Sequence, residues 1–374
     1  MKILIFISSM GSGGAERVTA NLSRHWAEQG WDVTIVTLAP QSEDFYELHR
    51  AVRRIALNLI GESESILSGF LANISRVWAL RRVLRHRKPD VVLGMMSTAG
   101  IIAVLAGFGL RCRVIVSERI HPPCLSLGRI WEKLRAVVYR QACAVVALTD
   151  ETACWLKKYT RARNVVVIPN ALTRPVPTRF PPLDPHALIS NNRRMLLAAG
   201  RLDRQKGFDL LLDAFAGLAG RWSAWDLVIL GEGPERTALE MQVTSLGLTG
   251  RAFLPGRVGN IGEWYKHADI YALSSRFEGF PNTLLEAMSW GCPVVGFDCD
   301  TGPRDIIHHC VDGLLVGPEN AVSLGAALAI LMEDGFRRYL ARNAVEVRER
   351  FSPEKIMAMW GRLLEGAIPI GEKQ

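Results

Sequence analysis

Short apolar runs alternate with longer amphipathic segments throughout the first half of the chain. The runs rich in Val and Ile predict buried strands at residues 3–8, 33–37, 91–95, 114–117, 145–148 and 165–168. Apolar positions at helical spacing predict helices at 15–29, 75–88, 130–140 and 151–159. Because parallel strands need a crossover between them, this order predicts a parallel sheet with helices on both faces.

The same alternation returns after residue 193. Strands are predicted at 195–199, 227–230, 252–254, 270–273, 293–296 and 314–316, and helices at 208–219, 235–246, 261–268, 283–290, 321–334 and 353–365. Residues 170–192 contain five prolines, which is typical of an interdomain linker. The predicted fold class is α/β, with two doubly wound Rossmann-like domains facing each other across a cleft.

The changes of pattern set the predicted domain boundaries. Residues 1–173 form an N-terminal domain, 174–192 a linker and 193–352 a C-terminal domain, and the helix in 353–374 is expected to pack back towards the N-terminal domain. Open α/β sheets bind ligands at the carboxyl ends of their strands. The cleft between the domains is therefore the predicted place of the functional site.

Two apolar segments resemble membrane or export signals. Residues 91–110 carry no charge over a length that could span a bilayer, but they divide into a strand, a polar turn at 97–100 and a helix at 101–108. The apolar run at 3–7 is shorter than the roughly 7–15 residues of a signal-peptide core. The seven cysteines lack C-x-x-C spacing, so we expect reduced thiols in a cytoplasmic protein.

The formal net charge of +8 is unevenly distributed over the 374 residues. Residues 1–180 contain 25 Lys and Arg against 13 Asp and Glu, a net charge of +12, and the remainder contains 20 against 24, a net charge of −4. A basic domain joined to a mildly acidic one indicates two different partners. The chain lacks aromatic-interleaved basic stretches and known nucleic-acid modules, so we expect no nucleic acid.

Three glycines, Gly11, Gly13 and Gly14, follow the first predicted strand. A glycine turn before a helix lets backbone N–H groups approach an anion, although a plain strand-to-helix turn has the same pattern. A dinucleotide fingerprint would need a third glycine where Glu16 stands, and no acidic residue follows residues 33–37 closely enough to bind a ribose. We therefore expect neither NAD nor FAD.

Gly200, Arg201 and Lys206 follow the first strand of the second half and precede a helix. Two cations beside a helix N-terminus suit a diphosphate, since Arg offers a planar fork and Lys a point charge. Gly231 and Gly233 form the corresponding turn after the next strand, where a base or ribose could approach the backbone. Such residues are also common on surfaces, so neither turn is diagnostic alone.

Residues 274–288 carry the most specific pattern, in which Glu278 and Glu286 stand eight positions apart. Pro281 and Asn282 suit a helix start, so the N–H groups of this turn would point at a ligand. Glu286 would lie about one turn inside the helix, where its carboxylate could accept two hydrogen bonds from a ribose diol. Its apolar neighbours make a surface salt bridge an unfavourable alternative.

These patterns resemble those of retaining glycosyltransferases of the GT-B fold, in the large family 4 group. The resemblance extends over nearly the whole chain and rests on residues 13–16 (Gly-Gly-Ala-Glu), 168–170 (Ile-Pro-Asn), 200–207 (Gly-Arg-Leu…Lys-Gly), 231–234 (Gly-Glu-Gly-Pro), 278–286 (Glu-x7-Glu) and 312–316 (Asp-Gly-Leu-Leu-Val). The Glu-x7-Glu element around Gly-Phe-Pro is specific to the group, and the others support it. The resemblance implies a nucleotide-sugar donor bound mainly by the second domain and an acceptor bound mainly by the first.

The resemblance also implies roles for single residues in donor binding. It places Arg201 and Lys206 on the diphosphate, Glu286 on the ribose and Glu278 near the transferred sugar. The other donor contacts it implies are Gly14, Gly200, Gly231, Gly233, Gly279, Phe280, Pro281, Asn282 and Thr283.

Residues 116–121 correspond to a segment in which many relatives carry a histidine near the sugar. This chain offers Glu118, Arg119 and His121, and the pattern does not choose among them. Glu118 and His121 are candidate catalytic residues together with Glu278, Arg201 and Lys206. Arg119 and Glu16 are candidate acceptor contacts.

Cleavage of the anomeric bond leaves negative charge on the nucleoside diphosphate, which the protein must stabilise. Many transferases use Mg²⁺ on an Asp-x-Asp sequence, but Asp298-Cys299-Asp300 follows the donor element, and two acidic residues define such a site poorly. With Arg201 and Lys206 available, we expect no metal and no other cofactor. Retention is expected through front-face attack, with the leaving phosphate accepting the acceptor's proton.

Residues 75–88 predict a helix with six Lys and Arg residues and an apolar stripe through Ile74, Val77, Trp78 and Leu84. A basic amphipathic helix can lie on an anionic membrane, or pack on the sheet with a solvated cationic face. We expect a polyprenyl-diphosphate-linked saccharide as acceptor, a UDP-linked hexose or N-acetylhexosamine as donor, and a peripheral position on the cytoplasmic face of the inner membrane. A nucleotide-sugar epimerase of the same fold, or a transferase with a soluble acceptor, is the alternative.

Overall fold

The computed structural model describes residues 1–61, 66–190 and 192–366, and they form two compact units. The first unit contains residues 1–170 and the C-terminal helix from Ile356 onward, and the second contains the residues between 171 and 355. Residue 191 of the predicted linker and residues 367–374 of the predicted C-terminal segment lie outside the described residues.

Strands and helices alternate in the first unit, as the sequence predicts. Within its described residues the strands are β1 (Lys2–Ile7), β2 (Asp32–Thr37), β3 (Arg53–Ala56), β4 (Val91–Met95), β5 (Arg113–Ser117), β6 (Ala144–Ala147) and β7 (Val165–Val167), and the helices are α1 (Gly14–Glu28), α2 (Ile66–Arg87), α3 (Ser97–Gly107), α4 (Arg129–Val138) and α5 (Asp150–Tyr159). All strands pair in parallel, in the order β3-β2-β1-β4-β5-β6-β7. Successive strands are added on one side of β1 up to β3 and on its other side from β4 onward, so the direction of winding reverses between β1 and β4.

The second unit repeats this architecture. Its described strands are β8 (Arg194–Ala199), β9 (Trp225–Leu230), β10 (Ala252–Gly256), β11 (Ile270–Leu273), β12 (Val294–Phe297) and β13 (Leu314–Val316), and its helices are α6 (Phe208–Ala219), α7 (Arg236–Ser245), α8 (Ile261–His267), α9 (Asn282–Ser289), α10 (Pro303–Ile306), α11 (Ala321–Met332), α12 (Asp334–Ala344) and α13 (Val347–Arg350). The parallel order is β10-β9-β8-β11-β12-β13, so winding reverses between β8 and β11. In open α/β sheets, ligands bind at the carboxyl ends of the strands where such a reversal occurs.

The uncharged segment 91–110 divides between β4 and α3. Val91, Val92 and Leu93 are completely buried in the sheet, which explains their unbroken hydrophobicity. The predicted polar turn at 97–100 is wrong, because these residues form the first turn of α3. Met96 alone makes the turn, with a left-handed φ of 75°. Among the helices of the described ranges, none combines the length and apolarity required to cross a bilayer.

The helix predicted at 321–334 is also wrong in extent, because two helices, α11 and α12, meet there. Glu333 between them is extended, with φ −81° and ψ 138°. The buried Arg337 donates to the carbonyl oxygens of Leu331 and Met332 at 3.3 and 3.4 Å, and so satisfies the end of α11. This local capping contact leaves no break in the hydrophobic pattern of the sequence.

The proline-rich segment is part of the second unit. The backbone N–H of Arg179 donates to the carbonyl of Gly259 at 2.7 Å, and the N–H of Gly259 donates to the carbonyl of Pro181 at 2.7 Å. Asn260 binds both backbone groups of Leu183, at 2.9 and 3.0 Å. These bonds fix the segment beside α8.

The last helix, α14 (Pro353–Gly366), contributes its apolar face to the first unit. Trp360 is buried, and its ring meets that of Trp26 edge-on, with centroids 6.1 Å apart. Ile356 and Leu364 are buried on the same face. The first unit therefore combines residues from both ends of the chain.

Helix α2 has an inward and an outward apolar face, so the single stripe predicted through Ile74, Val77, Trp78 and Leu84 is wrong. Leu84 is buried with Leu80 against the sheet, whereas Trp78 is 62% exposed. Leu71 and Ile74 are exposed beside Trp78. The exposed residues Arg82 and Arg85 continue this line at intervals of three and four residues, which places them on the same helix face.

Candidate active site

The loops that follow β8 and β11 lie side by side at the carboxyl edge of the second sheet. The backbone N–H of Arg276 donates to the carbonyl of Gln205 at 2.8 Å, and Gln205 Nε2 donates to the carbonyl of Phe277 at 3.0 Å. These bonds join the predicted phosphate loop to the Glu-x7-Glu segment. The two strongest sequence signals of this unit therefore meet at the carboxyl edge of the sheet, between β8 and β11.

Gly207 allows the two loops to approach closely. Its φ of 60° is left-handed, and a Cβ there would overlap the carbonyl oxygen of Ser274. The Ser274 hydroxyl donates to the carbonyl of Lys206 at 2.9 Å, which holds the end of the short turn Arg204–Lys206. The position of Lys206 is thus fixed by the neighbouring loop.

Lys206 and Glu278 form an ion pair between these two loops. Lys206 Nζ lies 2.6 Å from Glu278 Oε1, and the buried Ser275 hydroxyl donates to the same oxygen at 2.6 Å. Both partners are largely buried, so solvent screens their attraction less than at a surface. The side-chain carbons of Lys206 pass over Gly200, where a Cβ would lie 3.2 Å from them.

Arg201, the second predicted diphosphate ligand, has a different environment. Its side chain is 70% exposed and forms an ion pair with Asp203. Asp203 also accepts a hydrogen bond from the backbone N–H of Lys206 at 3.3 Å. Arg201 is therefore tethered to the same loop as Lys206, but on its solvent side.

Gly231 and Gly233 lie against the backbone of the Gly200 loop. A Cβ at Gly231 would overlap the carbonyl oxygen of Gly200, and one at Gly233 would overlap that of Leu202. The N–H of Leu202 donates to the carbonyl of Glu232 at 2.9 Å. Packing between two adjacent turns therefore accounts for both glycines.

The Gly279–Pro281 turn is supported from a distant part of the chain. The hydroxyl of the buried Thr301 donates to the carbonyl of Glu278. Gly302 has a left-handed φ of 94°, and a Cβ there would lie 2.8 Å from Pro281 Cδ. Phe280 is buried and packs edge-on against Phe351, with centroids 5.3 Å apart. The turn is thus held in one shape.

Helix α9 begins at Asn282, directly after this turn. Asn282 and Thr283 are partly exposed in its first turn, where backbone N–H groups lack acceptors within the helix. Glu286, one turn further, is only 1% exposed, and its Oε2 accepts a hydrogen bond from the Tyr265 hydroxyl at 3.2 Å. Lys206 and Glu278 are thus in direct contact, and Glu286 lies one turn inside the helix that begins just after the Glu278 loop.

Ser275, Thr301 and Tyr265 were missed by the sequence reasoning. Ser275 adjoins the Glu-x7-Glu element, so its place in that segment was a usable signal. Tyr265 lies on α8 and Thr301 precedes α10, and neither has a spacing that connects it to the site. Tyr265 and Thr301 are identified only by the way in which separate elements pack in the structure.

Glu118 is buried in the first unit, immediately after β5. Its carboxylate accepts hydrogen bonds from Ser97 Oγ, at 2.5 Å, and from the Tyr139 hydroxyl. Burial raises the pKa of Glu118 above its ordinary value, although these two bonds and the charge of Arg135 act in the opposite direction. Burial and the neighbouring carboxylate also raise the pKa of Tyr139, so its hydroxyl remains a donor.

Arg119 and His121 are also buried. Arg119 donates to the side-chain oxygen of Asn170 and to Ser117 Oγ, the latter at 3.3 Å. Burial lowers the pKa of Arg119 to about 10, which leaves it charged at neutral pH. His121 Nδ1 lies 3.0 Å from Thr152 Oγ1. The three candidates thus contact different internal partners.

The glycine turn after β1 ends at the start of α1. Gly14 is the exposed first residue of the helix, and Glu16 in its first turn accepts a hydrogen bond from Ser9 Oγ at 3.4 Å. The Tyr46 hydroxyl donates to the carbonyls of Ser12 and Gly13, both at 3.2 Å. Turn and helix start are thereby held together.

In Asp298-Cys299-Asp300, the sequence considered as a metal site, the first aspartate is paired with an arginine. Asp298 Oδ1 lies 2.8 Å from Arg304 Nε in an ion pair. In the part of the chain that the structure describes, His, Cys, Asp and Glu side chains form no group of three or more that could hold a metal ion.

Two family profiles match the chain, one in each unit. The profile described as "Glycosyl transferases group 1" matches residues 182–347, which include the Lys206 and Glu278 loops. The profile described as "Glycosyl transferase 4-like domain" matches residues 13–171. The two profiles thus match both halves of the chain in which the family motifs were recognised.

Curated proteins and solved structures resemble the chain over nearly its full length. GalNAc-α-(1→4)-GalNAc-α-(1→3)-diNAcBac-PP-undecaprenol α-1,4-N-acetyl-D-galactosaminyltransferase of Campylobacter jejuni is 28% identical over 97% of this chain and 98% of its own. Sucrose-phosphate synthase of Thermosynechococcus elongatus has a TM-score of 0.84 at 20% identity, covering 98% of both chains. Anabaena HepE in complex with UDP-glucose has a TM-score of 0.80 at 21% identity, over 98% of this chain and 100% of its own. These likenesses confirm the predicted GT-B fold.

Proposed function

The chain belongs to the glycosyltransferase group 1 family, and we propose that it transfers a hexose or N-acetylhexosamine from a UDP-sugar to a polyprenyl-diphosphate-linked saccharide during assembly of a surface glycan. Glycosyl transfer follows from the family. The donor, the acceptor and the course of the reaction are the proposed part. The name of the Campylobacter jejuni relative, which specifies a PP-undecaprenol saccharide, supports this acceptor class.

The Lys206–Glu278 pair is the observation that carries the donor assignment. A cation largely shielded from solvent lies at the winding reversal of a parallel sheet, beside the start of a helix and a buried carboxylate. At such a position Lys206 would bind the diphosphate and Glu286 the ribose hydroxyls. Glu278 and the backbone of residues 279–281 would then face the sugar.

We propose a retaining reaction that needs no metal ion. The acceptor hydroxyl oxygen forms a bond to the anomeric carbon on the face from which the diphosphate departs. The bond between the anomeric carbon and the diphosphate oxygen breaks, and the acceptor's proton moves to that oxygen. Lys206 and Arg201 stabilise the negative charge where it develops, which lowers the barrier.

We further propose that the first unit binds the lipid-linked acceptor and lies on an anionic membrane surface. The net charge of +12 over residues 1–180 favours a partner that carries phosphate. On α2, the exposed Leu71, Ile74 and Trp78 lead into Arg82 and Arg85 on the same face. An apolar stripe beside cations suits the boundary between acyl chains and headgroups.

A panel of UDP-sugars with short polyprenyl-diphosphate-linked saccharides, analysed by mass spectrometry, tests the proposal. The expected product is the acceptor enlarged by one sugar residue or more, with the donor's anomeric configuration by NMR and unchanged yield in EDTA. Release of UDP should require the acceptor, which separates transfer from epimerisation. Equal activity on the same saccharide without its lipid diphosphate would contradict the proposed acceptor.

A further inference from the structure

We propose that Tyr265 is a positioning residue of the donor site, which orients the carboxylate of Glu286 and so determines how strongly the site prefers ribose to 2′-deoxyribose. The inference rests on the proposed function, because it presupposes a ribonucleotide donor. It concerns a residue on a different helix from Glu286 and outside the Glu-x7-Glu element.

Glu286 and Tyr265 meet inside the second unit, where both are 1% exposed. The Tyr265 hydroxyl donates to Glu286 Oε2 at 3.2 Å, from α8 to α9. The neighbours of Glu286 in the helix, Leu285 and Ala287, are buried and apolar. A carboxylate in such surroundings needs hydrogen bonds to offset its lost hydration, and Tyr265 supplies one.

Recognition of a ribose diol also requires the correct plane of this carboxylate. The last torsion of a glutamate side chain is broad, so its rotamer preference does not fix the orientation of the two oxygens. Two adjacent hydroxyls can both donate to a carboxylate only when its oxygens face them. A hydrogen bond to Oε2 restricts this rotation before the nucleotide arrives.

The Tyr265 ring is itself anchored to the strand that leads to Lys206. It packs edge-on against Tyr271, with centroids 5.9 Å apart and an interplanar angle of 69°. The Tyr271 hydroxyl donates at 3.3 Å to the carbonyl of Ala199, the residue before Gly200. Glu286 is therefore connected, through Tyr265 and Tyr271, to the strand that precedes the proposed diphosphate loop.

Calorimetric titration of the full chain with UDP and with 2′-deoxy-UDP tests the proposal. For the wild type we expect 2′-deoxy-UDP to bind about tenfold more weakly, since one hydrogen bond to a charged group is lost. For Tyr265→Phe we expect weaker binding of UDP and a ratio reduced to about twofold. Tyr339→Phe is the control, because it removes a tyrosine hydroxyl from a half-exposed position on α12 of the same unit, and it should keep the wild-type ratio.

A wild-type ratio in Tyr265→Phe, with UDP still bound, would overturn the positioning role and leave the donor assignment intact. A wild type that binds no UDP, or does not distinguish the two nucleotides, would overturn the donor assignment and with it the inference. Glu286→Ala gives the double-mutant test. In that background Tyr265→Phe should leave the ratio unchanged, and a further change there would show that Tyr265 acts independently of Glu286.

Discussion

Lys206 Nζ lies 2.6 Å from Glu278 Oε1, although the two residues are 72 positions apart in the sequence. They connect the loops that follow β8 and β11. Because these neighbouring strands are parallel, both loops leave the sheet at its carboxyl edge. Each partner neutralises the other in a largely buried place. A diphosphate that binds Lys206 must therefore compete with a carboxylate already in contact.

Lys206→Ala should lower kcat by about 10²–10³-fold, since it removes a cation aimed at the developing charge on the leaving diphosphate. Steady-state kinetics with the donor and acceptor identified in the panel measures this. Lys266→Ala removes an exposed lysine from the same unit and is the matched control. Near-normal turnover of the Lys206 variant would remove that residue from the active site.

Glu278→Gln should bind UDP, without a sugar, about fivefold more tightly than the wild type, because the competing negative charge is removed. Sugar transfer should fall at the same time, since Glu278 is assigned to the sugar. Calorimetry and steady-state rates measure the two effects separately. Weaker UDP binding would mean that Glu278 supports Lys206 rather than competing for it.

Gly207→Ala should reduce the free energy of unfolding of the second unit by roughly 2–4 kcal/mol, because a Cβ there overlaps a backbone carbonyl and the φ of 60° is unfavourable for alanine. Gly217→Ala is the control within α6, where a Cβ would meet no atom within 4 Å. That change should stabilise by about 0.5–1 kcal/mol. Urea unfolding of both variants gives the comparison, and equal effects would contradict the close approach of the loops.

Glu118→Gln should become more stable relative to the wild type as the pH rises. Burial raises the pKa of Glu118 above its ordinary value of 4.5, so the folded state holds the proton more tightly than the unfolded state. The stabilisation by this group is fully present below pH 4.5 and is lost as the pH rises through the folded-state pKa. The difference should amount to about 1.4 kcal/mol for each unit by which the pKa is raised.

Urea unfolding followed by tryptophan fluorescence between about pH 4 and pH 8 measures the Glu118 effect. Glu365→Gln, an exposed position on α14, controls for the loss of one negative charge. A constant difference between the wild type and Glu118→Gln across this range would contradict the assigned cause.

Trp78→Ser combined with Arg82→Glu and Arg85→Glu should abolish flotation of the protein with anionic liposomes. These changes remove an exposed aromatic anchor and reverse the cationic end of the same face. The matched control is Lys355→Glu with Arg362→Glu, which reverses two exposed cations on α14. Flotation of the α2 variant at the wild-type level would contradict the proposed membrane surface.

The sequence predicts elements best where turn residues bound them on both sides. The strands at 270–273 and 314–316 and the helix at 208–219 agree with β11, β13 and α6 to the residue. Edge strand β3 was missed, because Arg53 and Arg54 break the apolar pattern and none of its four residues is fully buried. At the break between α11 and α12, Arg337 donates to the last carbonyls of α11, and hydrophobic periodicity does not reveal this contact.

Motifs identified the loops of the candidate site but not the contacts between them. Glu278 and Lys206 were both predicted as donor ligands, and their pairing follows only from the order of strands in the sheet. For Glu118, Arg119 and His121, sequence proximity suggested a shared location. Their side chains contact Tyr139, Asn170 and Thr152, three partners on separate segments. Local spacing carries no information about such long-range neighbours.

The contact between Trp26 and Trp360 has a consequence for synthesis of the chain. When the ribosome has made the strands of the first unit, the helix that covers Trp26 is still about 185 residues away. At translation rates of about 5–20 residues per second, this surface waits for roughly 10–40 s before α14 appears. The nascent first unit thus exposes an aromatic surface that chaperones can bind, and its final stability is acquired only after the second unit has been made.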